Sequence, residues 1–168
     1  STPLVSLSLS DLDGSNGFRI PGNSQNYGTI SLTSGDFNGD GFSDIVIGYT
    51  TESYVIFGNE NGWSERVDLS LLDGSNGFVI NNESINEATN EVFGLADDSL
   101  SSADVNGDGF ADIIFGIGSP PSPFSNYEYV GTDYVLFGKA NDWVPSLELF
   151  SIDSTQGTVI ENNMMGSY

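Results

Sequence analysis

The 168-residue chain contains no cysteine and no histidine, and Arg19, Arg66 and Lys139 are its only cationic side chains. Each shortage excludes a class of chemistry. Without cysteine or histidine there is no disulfide, zinc ribbon, thiol nucleophile or imidazole base. Any metal must be a hard cation held by oxygen. Displacing counterions from a phosphate backbone needs lysine and arginine, so nucleic acid and anionic membrane surfaces are poor partners for a chain of formal charge −21. No apolar run is long enough to cross a bilayer as a helix, and no basic-then-apolar leader opens the sequence. The chain starts at Ser1 rather than methionine, as a processed or excised piece would. What remains is a chain whose hydrophobic fraction (38%) and aromatic fraction (12%) are too high for a disordered acidic tail. It can bury a core of its own.

The sequence repeats. Leu12-Asp13-Gly14-Ser15-Asn16-Gly17-Phe18-Arg19-Ile20 returns as Leu72-Asp73-Gly74-Ser75-Asn76-Gly77-Phe78-Val79-Ile80, and more weakly as Ile152 to Ile160. Asp36 to Gly48 matches Asp104 to Gly116, and Tyr54-Val55-Ile56-Phe57-Gly58 through Trp63 matches Tyr134-Val135-Leu136-Phe137-Gly138 through Trp143. The second copy is longer at two places only, between Ile80 and Asp104 and between Gly116 and Tyr134. Insertions belong in loops. The first holds Glu83, Glu87, Glu91 and Asp97-Asp98 and reads as a solvated acidic loop, since like charges four apart oppose a helix. The second, around Pro120, Phe124 and Tyr127, is a candidate for contacting a ligand.

Between the loops lie short β-branched or aromatic runs bounded by Gly, Asn and Asp: Ile45 to Ile47, Tyr54 to Phe57, Ile113 to Phe115 and Tyr134 to Phe137. These read as strands buried on both faces. Nothing sustains a helical period. The class is all-β, in repeated four-strand units. Trp63 and Trp143, at matching positions, read as blade-packing residues rather than sugar platforms.

Two loops carry the chemistry: Asp36-x-Asn38-x-Asp40-Gly41-x-x-Asp44 and Asp104-x-Asn106-x-Asp108-Gly109-x-x-Asp112. Oxygen side chains at alternate positions curl around a cation, Gly at the sixth position permits the sharp turn, and the seventh carbonyl (Phe42, Phe110) adds a backbone oxygen. Asp44 and Asp112 close the shell. Three carboxylates and an amide suit Ca²⁺ better than Mg²⁺, which demands stricter octahedral geometry. The competing reading is a pair of Asx turns without metal. Identical spacing at matching repeat positions favours two calcium sites. An EF-hand needs an acidic residue at position 12 and a following helix. Here position 12 is Ile47 or Phe115, within a strand-like run.

On these residues the sequence resembles the FG-GAP repeats of integrin-α-type β-propellers. In that family an aromatic-Gly pair opens the innermost strand, matched by Tyr27-Gly28 and Phe93-Gly94, and a Gly-Ala-Pro element ends the second, reduced here to Gly48-Tyr49-Thr50 and Gly116-Ile117-Gly118. The Leu-Asp-Gly-Ser-Asn-Gly-Phe and Tyr-Val-x-Phe-Gly elements are similar to bacterial secreted versions of the repeat. The resemblance implies four-stranded antiparallel blades in an incomplete propeller. Residues 1–26 would supply an outer strand of a preceding blade, 27–92 one blade, and 93–168 a second blade with the start of a further repeat at Met165. Family propellers close with about seven blades, so other repeats or other copies would complete a ring. It further implies a non-enzymatic, calcium-binding module for extracellular recognition or adhesion, since such weak sites fill only where calcium is near millimolar. Its partners would be a protein or glycan ligand at the cell surface, or copies of itself. A structural assembly protein joined through edge strands and a lectin-like propeller are the alternatives.

Overall fold

The computed structural model describes residues 8–21, 31–86, 91–118 and 132–161. The β-branched and aromatic runs become strands and the Asx-Gly segments become the turns between them. In chain order the strands are β1 (Ser31–Gly35), β2 (Asp44–Gly48), β3 (Glu52–Ile56), β4 (Gly77–Asn81), β5 (Ser84–Asn86), β6 (Glu91–Ala103), β7 (Asp112–Gly118), β8 (Thr132–Leu136), β9 (Ser146–Glu148) and β10 (Gly157–Glu161). Three short 3₁₀ turns, Leu9–Asp11, Leu69–Leu71 and Leu149–Ser151, precede the three copies of the Asp-Gly-Ser-Asn-Gly motif and its variant.

β1, β2, β3 and β4 form one antiparallel blade in sequence order. β6, β7, β8 and β10 form the second in the same order, with β5 added beyond β6. These are β-propeller blades, and two of them lie within the described residues. Alternation along β3 places Val55 against the neighbouring blade and Tyr54 and Ile56 on the opposite face, so the first blade is buried on both sides. The larger core lies between blades: Phe37, Val46, Phe78 and Ile80 meet Leu95, Leu100, Ile113 and Phe115. The innermost strands β1 and β6 also meet, where Ser31 Oγ accepts from the Leu100 amide (3.1 Å) and Thr33 Oγ1 lies 2.9 Å from Ser102 Oγ.

The expected acidic loop is the main correction. Glu91 lies in β6, opposite Asn86 of β5, and Asp97 and Asp98 fall within the span of the same strand, in the irregular stretch between Leu95 and Leu100 where the ladder to β7 is interrupted. The extra residues are absorbed partly as the β5–β6 hairpin and partly as a bulge. Between Leu95↔Ile117 and Leu100↔Phe115, residues 96–99 stand opposite Gly116 alone. A bulge of this kind lets a strand carry an insertion without losing its ladder. Glu83 is exposed just before β5. Glu87, Tyr27-Gly28, Phe124, Tyr127 and Met165 lie outside the described residues.

Neighbouring blades are joined by a repeated device. β9 pairs in parallel with the outer strand β4, with Val79 opposite Ser146, and one repeat earlier Arg19 stands opposite Arg66 in the same register. At the same joins Trp63 stacks on Phe18 and Trp143 on Phe78, each with ring centroids 4.5 Å apart. Trp143 packs between the two blades, and Trp63 packs residues 8–21 onto the first. Trp143 also donates its indole N–H to the Lys139 carbonyl (2.9 Å). Residues 8–21 contribute a 3₁₀ turn and this single bridge rather than a strand.

The Asp-Gly-Ser-Asn-Gly turns close on themselves. Asp73 Oδ1 accepts from both the amide (2.9 Å) and hydroxyl (2.7 Å) of Ser75, and Asp13 and Asp153 do the same with Ser15 and Thr155. These bonds, the side-chain hydroxyl first, hold all three carboxyls below the ordinary carboxylate range. A depressed folded-state pKa contributes stability above the unfolded value, and that contribution is lost as pH falls through the folded value. Asp73→Asn is therefore expected to melt below the parent at neutral pH, with the gap closing as pH falls below about 4. A gap independent of pH would contradict this role.

Candidate metal centre

The two Asx-rich loops connect β1 to β2 and β6 to β7, the first two strands of each blade. They fold alike because their sequences place a short acceptor before each amide that the turn leaves unpaired. Asp36 Oδ1 accepts from Gly39 N (2.7 Å) and Asp40 N (3.1 Å), and Oδ2 from Gly41 N (3.0 Å). Asp104 repeats these bonds with Gly107, Asp108 and Gly109 at the same distances. Asn38 Oδ1 accepts from Asp40 N, and Asp40 Oδ1 from Phe42 N; Asn106 and Asp108 do likewise. Gly41 and Gly109 have φ of 85° and 96°, which an L side chain rarely adopts. The sixth-position glycine is required by backbone geometry.

The loops therefore gather two carboxylates and a carboxamide each, with Asn38 Nδ2 2.9 Å from Asp40 Oδ2 and Asn106 Nδ2 2.9 Å from Asp108 Oδ2. The ninth-position acids are placed differently. Asp44 is fully buried, its Oδ2 accepting from Phe37 N and its Oδ1 from Gly58 N, both at 2.8 Å. Asp112, equally buried, receives Val105 N and Gly138 N at 2.9 Å. Each ties the start of its loop to the residue just after the third strand of its blade. Burial pushes the Asp44 carboxyl up to about 6, against the amides of Gly58 and Phe37, with Asp40 and Asp36 adding repulsion. Among the described residues no three acidic side chains converge as a metal centre. Asp44 and Asp112 nonetheless keep lone pairs beyond those used by the amides.

Tested against calcium, the donor set fits in kind. All side-chain donors are oxygen, the loop backbone already takes the turn that the motif needs, and Asp36 and Asp104 sit under three amides each, leaving carboxylate lone pairs for a cation.

One relation escaped the sequence reading. The first loop is docked on the second blade: the Asp36 carbonyl accepts from Ala111 N (2.9 Å) and the Phe37 carbonyl from Lys139 N (3.0 Å). A Cβ on Gly39 would meet the Phe110 ring at 2.2 Å. Phe110, a candidate through its carbonyl, thus uses its ring to seat the neighbouring loop. The recurring Phe-Gly that ends each Tyr-Val-x-Phe-Gly element marks a different close approach, of the third strand's end to the calcium-motif loop of its own blade. A Cβ on Gly138 would lie 2.4 Å from the Ala111 carbonyl oxygen, and one on Gly58 2.6 Å from that of Ser43.

Comparison with known proteins agrees with this geometry. The FG-GAP repeat family model matches residues 28–62 and 97–134, which span the two loops. The chain carries FG-GAP repeats. A phosphatidylinositol-glycan-specific phospholipase D of Dictyostelium discoideum is 31% identical over 165 residues, covering 82% of this chain and 16% of that protein. A phosphatidylinositol-glycan-specific phospholipase D of Bos taurus is 30% identical over 118 residues, covering 64% of this chain and 13% of that protein. The FG-GAP chain thus spans under a fifth of the length of these curated relatives, neither of which is bacterial. No solved structure matches it significantly. Among the described residues no helix is long and apolar enough to cross a membrane.

Proposed function

We propose that these FG-GAP blades form a non-enzymatic, calcium-binding module for recognition or adhesion outside the cell. The observation that carries the reading is the twin loop: two Asp-x-Asn-x-Asp-Gly segments fold alike down to the bond at the same position in two blades. Calcium would be held by Asp36, Asn38, Asp40, the Phe42 carbonyl and Asp44, and by Asp104, Asn106, Asp108, the Phe110 carbonyl and Asp112. It would supply charge neutralisation and rigidity rather than reaction chemistry. The chain's own residues hold the loops open for it, and the docking of the first loop on Ala111 and Lys139 lets occupancy set the angle between blades. Sites of this extracellular type need near-millimolar calcium, which supports a secreted or cell-surface setting. The relatives are named as phospholipases, but this chain spans 16% and 13% of them. Its loop acids are engaged by backbone amides, which supports a non-catalytic part. Isothermal titration should find two calcium ions per chain, with Asp36→Ala and Asp104→Ala each removing one. Unchanged stoichiometry in both variants would overturn the site assignment.

A second reading, assembly through edge strands, is favoured by one contrast. Ile80 on β4 is fully buried with β9 alongside, whereas its repeat equivalent Ile160 on β10 is 53% exposed. Among the described residues no strand pairs with the outer edge of β10, and such an edge invites a further strand. Mass photometry across a concentration series should then show complexes of several chains, and a mass of 17.9 kDa at every concentration would dismiss it.

A further inference from the structure

The turns that build the blades carry a chemical liability. Asparagine is thermally labile, most of all before glycine, where no side chain shields the following amide. That amide nitrogen, its proton lost to hydroxide, attacks the asparagine side-chain carbonyl carbon. The carboxamide carbon–nitrogen bond breaks, ammonia leaves with a proton from water, and a cyclic succinimide forms. Water then opens the ring at either carbonyl, giving aspartate or isoaspartate. The chain holds five Asn-Gly pairs, at Asn16, Asn38, Asn61, Asn76 and Asn106, all among the described residues. Sequence alone makes them equally reactive. The fold does not.

Four of the five carboxamides are held at both ends. Asn16 Oδ1 accepts from Asp13 N (3.0 Å) while its Nδ2 donates to the Asp11 carbonyl (2.9 Å), and Asn76 does the same with Asp73 N and the Leu71 carbonyl. Asn38 Oδ1 accepts from Asp40 N and its Nδ2 donates to Asp40 Oδ2, a pattern that Asn106 repeats with Asp108. In these two pairs the attacking nitrogen is held as well. Gly39 N donates to Asp36 Oδ1 and Gly107 N to Asp104 Oδ1, both at 2.7 Å, and an anionic acceptor opposes loss of the proton that attack requires. Asn61 differs. It lies exposed in the turn after β3, its backbone N–H donates to Asn59 Oδ1 (3.0 Å), and its carboxamide makes no hydrogen bond to a described residue. A Cβ on Gly62 would meet nothing within 4 Å, so the space around the pair is open. At the equivalent position of the second blade the pair is Asn141-Asp142, where a side chain crowds the attacking nitrogen.

We propose that Asn61 is the Asn-Gly modification site of the folded chain, converting spontaneously to aspartate and isoaspartate while the other four pairs are protected by the turns they build. The turn leads into Trp63, whose ring stacks on Phe18, so isoaspartate would lengthen the main chain beside the seat of residues 8–21. The test is incubation of the full chain in mildly alkaline buffer, below its melting temperature, followed by peptide mass spectrometry that reads the amide-to-acid mass gain at each asparagine. Chelator is present throughout, so calcium adds no protection and failure would leave the calcium reading untouched. Asn61 should react at least about tenfold faster than Asn16, Asn38, Asn76 or Asn106, since two hydrogen bonds must break before each of those carboxamides can turn. In denaturant the five should react at similar rates. Gly62→Asp, which installs the residue that takes φ of 61° at position 142, should slow Asn61 severalfold. Asp36→Ala, which frees the Gly39 amide, should speed Asn38 severalfold. An intact Asn61, an equal or faster rate at any of the other four in the folded chain, the same spread of rates in denaturant, or no change in either variant would each overturn the proposal.

Discussion

Replacing Asp44 with alanine is expected to lower stability by about 3–5 kcal/mol in calcium-free buffer, because two buried backbone amides lose a charged acceptor. For a chain of this size that corresponds to a fall in melting temperature of roughly 6–20 °C. Phe37 N and Gly58 N both point at a carboxylate with no solvent access, and nothing replaces it when the side chain is cut back. Two opposing facts set the size. Burial raises the Asp44 carboxyl to about 6, so the ion is itself held at a cost. Yet removing one partner of a buried charged contact leaves the other unpaired, and that penalty dominates. Asp44→Asn should fall between, since one amide keeps an oxygen while the other faces an NH₂ donor. Asp112→Ala should cost less than Asp44→Ala, since Gly138 N is orphaned in the interior while Val105, 51% exposed, can turn its amide to water. The control is Asp40→Ala, whose lost partner Phe42 N lies on an exposed turn where water substitutes. If Asp44→Ala melted no lower than Asp40→Ala, the strut role would be wrong.

That strut shows where sequence reading stops. The spacing of Asp36, Asn38, Asp40 and Gly41 reports a local turn, and the turn forms as read because all its bonds lie within six residues. Asp44 belongs to the same spacing, but one of its partners, Gly58, is fourteen residues away, across β2 and β3. Its burial depends on the blade, which local spacing does not encode. The strands divide in the same way. β2, β3, β7 and β8 are legible because their apolar runs are buried on at least one side whatever the neighbours do. β6 was not, because Glu91, Asp97 and Asp98 lack strand character, and the strand exists through the pairing of residues 91–95 and 100–103 with β5 and β7 around an unpaired stretch that holds the two aspartates. β9 is three residues following Pro145 and exists only because the edge of β4 is there to accept it. Offsets between repeats were the strongest long-range signal. They marked Trp63 and Trp143 as packing residues, and the structure adds that each stacks on the phenylalanine of the preceding motif copy, Phe18 or Phe78.

Calcium is expected to raise the melting temperature by roughly 6–20 °C at about 10 mM. Weak extracellular-type sites have dissociation constants of about 0.1–1 mM, so mass action supplies about 1.4–2.7 kcal/mol per site at that concentration. Two sites give about 3–5 kcal/mol, and a domain of this length gains about 2–4 °C for each. Two divalent ions also bring the formal charge from −21 to −17, relieving repulsion that any salt would partly screen. Magnesium at equal concentration separates the effects: it matches the ionic strength and charge but demands octahedral geometry at shorter distances, so its rise should be markedly smaller. Asp36→Ala and Asp104→Ala should each remove about half of the calcium increment while barely changing the calcium-free value, because the amides they release lie on exposed turns. The first site carries a further consequence, since its loop is seated on Ala111, Lys139 and Phe110 of the adjoining blade. Occupancy there should slow amide exchange at Ala111 and Lys139, in the neighbouring blade, and Asp36→Ala should abolish that protection while Asp104→Ala leaves it. An undiminished calcium rise in the Asp36→Ala, Asp104→Ala double variant would refute both sites together.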